Sequence, residues 1–320
     1  MLPPLLIISI SIVAIEVAVG FIGNGFIAAV NSINWIKSRK ISSADMILVF
    51  LSTSRFILQV TVLIHIYSLY FADLFKLASV YKYFGAVWML VNQSSLWFST
   101  WLYVLYCVKI INITHWLLLK IKLRIPGMVP WLLLGSLVIS SMTSFPLLWI
   151  TPRAYLCSSM GSCRENSTAH ITNLDRSDLY FLVYIVGCFF PLVLSVVTSA
   201  LLITSLWKHR KTMLCYTDTF RGAMIDVHLT AIKSIISFLI LYLSSFVAQI
   251  LLILSTPQSK DVVKVSVSLV AVGAYPSVHS IILITVNSKL KLAFRNLCLC
   301  FKRHLEDKPP SPRLERNTLQ

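Results

Sequence analysis

The chain has 320 residues, of which 57% are hydrophobic and only 12% are charged, and its mean hydropathy is +0.80. An ordinary globular domain carries roughly 25% charged residues, so this composition excludes a soluble globule, which would expose far too much apolar surface. The formal net charge of +16 lies in short clusters between long apolar runs, which indicates a membrane protein rather than a nucleic-acid-binding protein.

Seven apolar runs in the chain are long enough to span a bilayer, which needs about 20 residues per helix. They cover 5–30, 44–69, 84–111, 128–150, 179–206, 229–255 and 262–286. The first run has no basic residue before it and continues well beyond the length of a signal-peptide core, so it is expected to be a retained helix. The chain is therefore predicted to be an all-α membrane protein, a seven-transmembrane helix bundle.

The basic residues are distributed unequally between the two sides of the predicted bundle. Of the 28 Lys and Arg residues, 20 fall in alternate loops, beginning with the first loop, and in the C-terminal segment. One lies within a span, and seven fall on the opposite side, namely Lys76, Lys82, Arg153, Arg164, Arg176, Lys260 and Lys264. Because cytosolic loops carry an excess of Lys and Arg, the N-terminus is predicted to be extracellular and the C-terminus cytosolic, in the plasma membrane.

The segment after the seventh run is amphipathic. Apolar and basic residues alternate at helical spacing, which predicts a short helix over 287–297 that lies on the cytosolic surface of the membrane. The receptor domain is thus expected to cover 1–296 and to include the amphipathic helix 287–297. The remainder, 297–320, is predicted to be a cytosolic tail that is disordered from Asp307 onward.

Side chains that carry out catalysis or bind metals form no recognisable pattern in the sequence. His and Cys are scattered, with no H-E-x-x-H motif, no C-x-x-C motif and no set at metal-ligand spacing. The sequence therefore predicts neither an enzyme nor a metal site, and it indicates no cofactor. Cys298 and Cys300, beside the amphipathic segment, are candidates for palmitoylation, and two ordinary reduced cysteines are the alternative.

Glu16 and Arg55 are the clearest ionisable residues within the predicted spans, where burying a charge in hydrocarbon is expensive. Counting along antiparallel helices puts Glu16 in the outer half of the first span and Arg55 in the inner half of the second. A Glu16–Arg55 ion pair is therefore not expected. Arg55 is expected instead to bond Asn24 or backbone carbonyls in the core, as a structural or switching hub.

A set of short motifs, in one order and spacing, extends over nearly the whole chain. The motifs are Gly23-Asn24, Leu51-Ser52-Thr53-Ser54-Arg55, Leu105-Tyr106-Cys107-Val108-Lys109-Ile110, Ser205-Leu206-Trp207-Lys208-His209, His228-Leu229-Thr230-Ala231-Ile232-Lys233 and Tyr275-Pro276-Ser277-Val278-His279-Ser280. With them the chain resembles the bitter taste receptors (type 2 taste receptors), a family of G-protein-coupled receptors, from Gly20 to Phe294. The Asp-Arg-Tyr and Asn-Pro-x-x-Tyr motifs of rhodopsin-like receptors are missing, and the segments with Lys109 and His279 stand in their places.

The resemblance implies a pocket for bitter small molecules between the outer halves of the helices. Trp88 and Asn92 match positions that line the pocket in the family, and with Ser95 they follow one another at i, i+4 and i+7 on one helix face. On this spacing alone, an interfacial anchor would be the simpler interpretation of Trp88. The other pocket candidates are Tyr184, Phe246, Gln249 and Leu269.

The resemblance also implies coupling to a heterotrimeric G protein, with gustducin or a related inhibitory-type alpha subunit as the partner. The residues assigned to activation and coupling are Asn24, Arg55, Lys109, Lys120, Lys122, Arg124, His209, His228, Lys233 and His279. The basic clusters on the predicted cytosolic side could contact the G protein, anionic membrane lipid or only water. A vomeronasal-type or other chemosensory receptor is the nearest alternative function. A small transporter would need a polar pathway, for which Arg55 and Glu16 alone are weak support.

The sequon Asn166-Ser167-Thr168 lies in the longest loop on the predicted extracellular side, where glycosylation is expected. We predict that Asn166→Gln increases the electrophoretic mobility of the protein in the same way as glycosidase treatment of the unsubstituted chain. Asn112→Gln serves as the control, because that sequon lies at the cytosolic end of the third span and is expected to carry no sugar. Mobility that changes with neither glycosidase nor Asn166→Gln would contradict the orientation assigned to this loop.

Overall fold

The computed structural model describes residues 4–70, 78–110, 116–148, 176–213, 221–254 and 262–306. Within these ranges the backbone is almost entirely helical and contains no strand. The helices are α1 (Pro4–Ser38), α2 (Ser43–Tyr70), α3 (Ala78–Ile110), α4 (Trp116–Ser144), α5 (Arg176–Met213), α6 (Arg221–Leu254), α7 (Val262–Val286) and α8 (Ser288–Glu306), and a 3-10 turn (Phe145–Leu148) follows α4. The predicted all-α architecture, a seven-helix bundle with an eighth helix, is confirmed.

Six helices contain an apolar stretch long enough to cross a membrane, namely α1, α2, α4, α5, α6 and α7. The third helix, α3, is long enough but more polar, because Asn92-Gln93-Ser94-Ser95 and Ser99-Thr100 interrupt its apolar sequence. All six of these polar side chains are buried. A helix whose polar groups are covered by protein rather than lipid is compatible with membrane depth, so α3 is the seventh span.

The central position of α3 explains its composition. The other spans form a ring around it, in which the neighbouring pairs are α1–α2, α2–α4, α4–α5, α5–α6, α6–α7 and α7–α1, and α3 packs against α2, α4 and α5 from inside. The ring helices expose large apolar side chains on their outward faces, and Ile22, Trp131, Phe190 and Ile240 are each more than 60% exposed. Apolar surface on the outside as well as the inside is what a bundle needs when its solvent is lipid.

One end of the bundle carries the connection from α1 to α2 and the start of α8; we call it the α8 end, and the opposite end the distal end. The first helix ends where Arg39 adopts a left-handed backbone conformation (φ 55°). The Ser42 hydroxyl then accepts the Asp45 N–H at 3.1 Å and caps α2. The Asn287 side-chain oxygen caps α8 by accepting the Lys289 N–H at 3.0 Å. These caps hold both connections in short, defined turns.

The amphipathic helix is longer than the sequence indicated. It ends at Glu306, nine residues beyond the predicted end at 297, because the alternation of apolar and basic residues continues. Leu290 is fully buried and anchors α8 to the bundle. Cys298 and Cys300 are exposed, free thiols on this helix rather than residues of the tail. The described residues do not include the predicted glycosylation site Asn166 or the predicted disordered tail beyond 306.

The first helix approaches α2 and α7 closely at Gly20. A Cβ atom at this position would lie 2.5 Å from Ser277 Oγ and would also collide with Gln59 Nε2. Those two atoms are bonded to each other, since Gln59 Nε2 donates to Ser277 Oγ at 3.0 Å, and Ser277 Oγ donates to the Glu16 carbonyl oxygen at 2.6 Å. The absence of a side chain at Gly20 thus lets three helices share one hydrogen-bonded contact.

We predict that Gly20→Ala destabilises the bundle, because the added methyl group must displace the Gln59–Ser277 hydrogen bond. The expected loss is about 1–3 kcal/mol, measured as a lower midpoint of thermal unfolding of the detergent-solubilised protein. Gly135→Ala on α4 is the matched control, because a Cβ built there has no atom within 4 Å apart from its chain neighbours and the backbone of its own helix. Equal midpoints for the two variants would contradict the close packing of α1 against α2 and α7.

Candidate functional site

Arg55 of α2 is completely buried in the bundle, and its guanidinium group bonds to three side chains. Nη1 donates to His279 Nδ1 at 2.6 Å, Nη2 to Ser99 Oγ at 3.1 Å and Nε to Ser95 Oγ at 3.3 Å. Ser99 Oγ also lies 3.1 Å from the Tyr275 hydroxyl oxygen. Because arginine presents its N–H donors in a planar fork, this one side chain connects α2 with two turns of α3 and with α7.

The hydrogen bond from Arg55 determines the tautomer of His279. Since an arginine only donates, His279 Nδ1 must accept, and the imidazole is therefore neutral with its hydrogen on Nε2. Nε2 then donates to the Tyr103 hydroxyl oxygen of α3 at 3.1 Å. A chain of hydrogen bonds thus runs from α2 through α7 to α3.

Aromatic rings enclose the Arg55–His279 pair. The guanidinium carbon lies 4.8 Å from the centroid of the Tyr275 ring, within the range of a cation–π interaction. The same ring stacks on His279, with centroids 6.1 Å apart and planes inclined by 10°. Phe238 of α6 lies 4.1 Å from the Tyr103 ring and 5.1 Å from His279, centroid to centroid. The rings form a low-dielectric surrounding in which each of these hydrogen bonds is stronger than in water.

The positive charge of Arg55 has no carboxylate partner among the described residues. Glu16 lies on α1, and its Oε2 accepts no hydrogen bond from any described residue. Asp45 lies at the α8 end, where its Oδ2 is 2.8 Å from Lys289 Nζ. Two hydroxyl groups, one imidazole nitrogen and one aromatic face therefore stabilise the guanidinium. A buried charge held in this way depends on each of those partners.

The prediction that Arg55 is hydrogen-bonded to Asn24 is wrong. Asn24 is buried on α1, and its Nδ2 donates to the Gly20 carbonyl at 2.8 Å and to the Pro276 carbonyl at 3.3 Å. Its side-chain oxygen has no hydrogen-bond partner among the described residues. Asn24 consequently connects α1 to α7 at the turn that precedes His279, and it contributes to the network only by holding that turn.

A second polar cluster surrounds Gln249 of α6 and lies toward the distal end. Gln249 Oε1 accepts from Asn92 Nδ2 at 2.9 Å and from the Tyr184 hydroxyl at 2.7 Å, and Nε2 donates to Ser245 Oγ at 3.1 Å. All four side chains are buried. Asn92 precedes Ser95 by three residues on α3, about 4.5 Å of helix rise, so this Gln249 cluster adjoins the Arg55 network.

Four of the seven predicted pocket residues come together at the Gln249 cluster. Besides the three that are hydrogen-bonded there, Phe246 stacks on Tyr184 with ring centroids 6.0 Å apart. Trp88 is partly buried and packs against the same core. Ser95 instead binds Arg55, because it lies one turn closer to the α8 end. Leu269 is partly exposed on α7. That these residues bind a ligand stays a prediction.

Most of the residues predicted to act in signalling lie toward the α8 end, away from the Arg55 network. Lys120, Arg124 and Lys233 are exposed on α4 and α6. The structure describes only the helical backbone of Lys109, Lys122, His209 and His228. Of the predicted set, therefore, Arg55 and His279 are in direct contact, and Asn24 supports the adjoining turn of α7.

Sequence reasoning missed three members of the network, Ser99, Tyr103 and Tyr275. Ser99 and Tyr103 follow Ser95 at i+4 and i+8, so they extend the same face of α3 by two turns. Continuing that spacing along the helix would have identified both. Tyr275 precedes His279 by four residues and shares a face of α7 with it, within a motif that had already been recognised.

Comparison with known proteins gives one consistent result. The taste receptor protein (TAS2R) family profile matches residues 1–302 of the chain. The chain is 35% identical over 281 residues to taste receptor type 2 member 40 of Gallus gallus, which covers 86% of this chain and 89% of the relative. It is 33% identical over 307 residues to taste receptor type 2 member 9 of Macaca mulatta, covering 95% of this chain and 97% of the relative. Against taste receptor type 2 member 39 of Homo sapiens it is 32% identical over 305 residues, covering 93% and 88%.

We predict that Arg55→Ala lowers the thermal midpoint of the solubilised protein by about 5 °C or more, because it leaves His279, Ser95 and Ser99 without their shared donor. Arg55→Lys is expected to be nearly as damaging, since one ammonium group cannot reproduce the geometry of the planar fork. Arg124→Ala, an exposed arginine on α4, is the control and should leave the midpoint unchanged. If the thermal midpoint of Arg55→Ala is as high as that of the control, the Arg55 network does not stabilise the bundle.

Proposed function

The chain belongs to the taste receptor protein (TAS2R) family, and from this premise we propose that it is a G-protein-coupled chemosensory receptor for bitter small molecules. The observation that carries the proposal is the family match over residues 1–302. Membership identifies the chain as a receptor rather than an enzyme. It also favours this function over the vomeronasal-type receptor and the small transporter that the sequence left open.

The receptor crosses the membrane several times, and we assign its α8 end to the cytosol and its distal end to the outside of the cell. The support is the excess of Lys and Arg on the side of the first loop and α8, which is typical of cytosolic segments. At the α8 end Lys37, Arg124, Lys233 and Lys291 are all exposed. This orientation makes the N-terminus extracellular and places the Gln249 cluster in the half of the bundle that faces the outside of the cell.

The Gln249 cluster is the proposed agonist site. Small-molecule sites are mostly apolar, with a few polar groups that fix the orientation of the ligand. This cluster combines the rings of Tyr184 and Phe246 with two amides, and Trp88 lies one turn from Asn92 along α3. The Gln249 side-chain oxygen already accepts hydrogen bonds from Asn92 and Tyr184. An agonist that inserts here must therefore offer a replacement hydrogen bond, because an unpaired buried amide is costly.

Activation follows from the position of α3 between the two polar clusters. An agonist acts only through its different affinity for the inactive and active states. If the agonist separates Asn92 from Gln249, α3 moves, and Ser95 and Ser99 on the same helix move away from Arg55. Weakening the contacts of Arg55 releases α7 through His279. It also releases α6 through Phe238, which packs against the rings of Tyr103 and His279, so both helices become free to move at the α8 end.

The opened α8 end is the proposed binding surface for a heterotrimeric G protein, with gustducin or a related inhibitory-type alpha subunit as the partner. Lys120, Arg124 and Lys233 are exposed there and suit an acidic protein surface. Lys109, Lys122, His209 and His228 are proposed for the same surface on the grounds of their position along the helices.

We predict that neutral agonists outnumber permanently cationic ones. The described side chains that bond to Gln249 or pack beside it include no carboxylate, and Glu16 Oε2 lies instead beside Gly273, where α1 meets α7. An ammonium group that loses water without gaining a carboxylate partner is penalised by several kcal/mol, enough to erase micromolar binding. The test is calcium imaging of cells that express the chain with a chimeric G protein. Screening these cells against a bitter-compound panel measures the ratio of neutral to permanently cationic agonists. A hit list dominated by quaternary ammonium compounds would contradict the site.

The same screen locates the site within the bundle. Asn92→Ala and Trp88→Ala should each raise the EC50 of most agonists about tenfold without lowering surface expression. Trp131→Ala is the control, because this tryptophan of α4 is 74% exposed on the lipid-facing side. If all three substitutions change the EC50 values equally, the agonist site does not lie at Trp88 and Asn92.

A further inference from the structure

A cleft of about 490 Å³ opens at the α8 end, between the last turn of α1, the turn after it, and the first turns of α2 and α8. Its lining includes Asn31, Trp35, Lys37, Lys40, Asp45 and Lys289. The volume lies within the range of sites that hold small molecules. The cleft is separate from both the Gln249 cluster and the Arg55 network, so it does not serve the proposed agonist response directly.

The side chains of the cleft are predominantly positive. Asp45 and Lys289 neutralise each other, with Nζ and Oδ2 2.8 Å apart, and the two side chains are 21% and 40% exposed. Lys37 and Lys40 are exposed and form no ion pair with any described residue. The first backbone N–H groups of α2 and α8 are already capped by Ser42 and Asn287. Lysine side chains, rather than helix termini, therefore attract an anion here.

Asn31 supplies a second requirement, for a hydrogen-bond donor. It is 1% exposed, it lines the cleft, and its Nδ2 donates to the Ile27 carbonyl at 2.9 Å. Its side-chain oxygen has no partner among the described residues. A buried carbonyl oxygen needs a donor, which a hydroxyl group of the ligand supplies. The ligand that satisfies the cleft therefore combines several negative charges with hydroxyl groups.

The cleft lies at the depth of lipid headgroups. Trp35 is 50% exposed at its rim, and tryptophan favours the interface between membrane and water. From there an exposed apolar stripe follows α1 at seven-residue spacing through Ile36, Ala29, Ile22 and Ile15. This stripe faces lipid and provides a path for acyl chains. A ligand with an anionic head in the cleft and acyl chains along α1 would satisfy both surfaces.

We propose that this cleft binds the headgroup of a phosphorylated inositol lipid, with its phosphates on Lys37 and Lys40 and a ring hydroxyl donating to Asn31. A headgroup with several phosphates matches the excess positive charge better than phosphatidylserine does, and its ring carries the hydroxyl donors that Asn31 requires. Binding connects the ends of α1, α2 and α8. The assigned orientation decides only which leaflet supplies the lipid, and binding is independent of any agonist.

The test uses the full chain in nanodiscs of phosphatidylcholine that contain either phosphatidylinositol 4,5-bisphosphate or phosphatidylserine at equal total charge. Bound lipid is counted by native mass spectrometry, and affinity is measured by competition with a fluorescent phosphoinositide. The unsubstituted chain should prefer the phosphoinositide at least about tenfold. Lys37→Gln with Lys40→Gln should weaken its binding about 25-fold, or about fivefold for each charge. Lys291→Gln with Arg295→Gln removes the same charge from exposed positions of α8 outside the cleft, and should weaken binding less than about threefold.

Asn31→Ala separates hydrogen bonding from charge. It should weaken phosphoinositide binding about fivefold and leave phosphatidylserine binding unchanged, in protein whose thermal midpoint matches that of the unsubstituted chain. Equal losses in the two double variants, or equal affinity for both lipids at matched charge, would reduce the effect to diffuse attraction and overturn the proposal. If free inositol trisphosphate displaces the fluorescent phosphoinositide at the same concentration as the lipid does, the acyl chains do not contribute to binding. The proposal that the ligand is a lipid would then be overturned. Since no agonist is present, neither result bears on the proposed receptor function.

Discussion

The buried charge of Arg55 is the constraint on which the rest of the bundle depends. No carboxylate among the described residues neutralises it, so its free energy rests on Ser95, Ser99, His279 and the face of Tyr275. These groups come from two other helices, and each must present the correct atom at the correct distance. A requirement of this kind determines how α2, α3 and α7 are rotated about their axes, which hydrophobic packing alone specifies loosely because lipid and core are equally apolar.

The polar character of α3 is the counterpart of that constraint. Its polar groups are covered because the ring of six apolar helices separates them from lipid. The helix carries Asn92 for one polar cluster and Ser95 with Ser99 for the other, so the two clusters share a rigid support. A displacement at one cluster is therefore transmitted to the other without any intervening flexible segment, which makes α3 the physical connection between the proposed agonist site and the proposed coupling surface.

The helices were predictable from the sequence because long apolar runs in lipid have no alternative to helical hydrogen bonding. The importance of Arg55 was also predictable, since a charge inside a span needs a partner. Its partners were not, because contacts between helices far apart in sequence depend on rotation and register that no local pattern encodes. For this reason Asn24 was wrongly expected to bind Arg55, and Ser95 was assigned to the pocket. The end of α8 was placed too early because an amphipathic pattern outside the bilayer has no hydrophobic thickness to limit its length.

The fixed tautomer of His279 has a consequence for how the receptor responds to agonists of different strength. Its two ring nitrogens are committed in opposite senses, one accepting from Arg55 and the other donating to Tyr103, so the chain of hydrogen bonds has a single direction. A partial displacement of α7 would strand both nitrogens at once, which makes intermediate positions unfavourable. The network therefore has two stable arrangements, intact and broken, rather than a continuous series of intermediates. Weak and strong agonists should then differ in the fraction of time for which the network is broken, and not in how far the helices move.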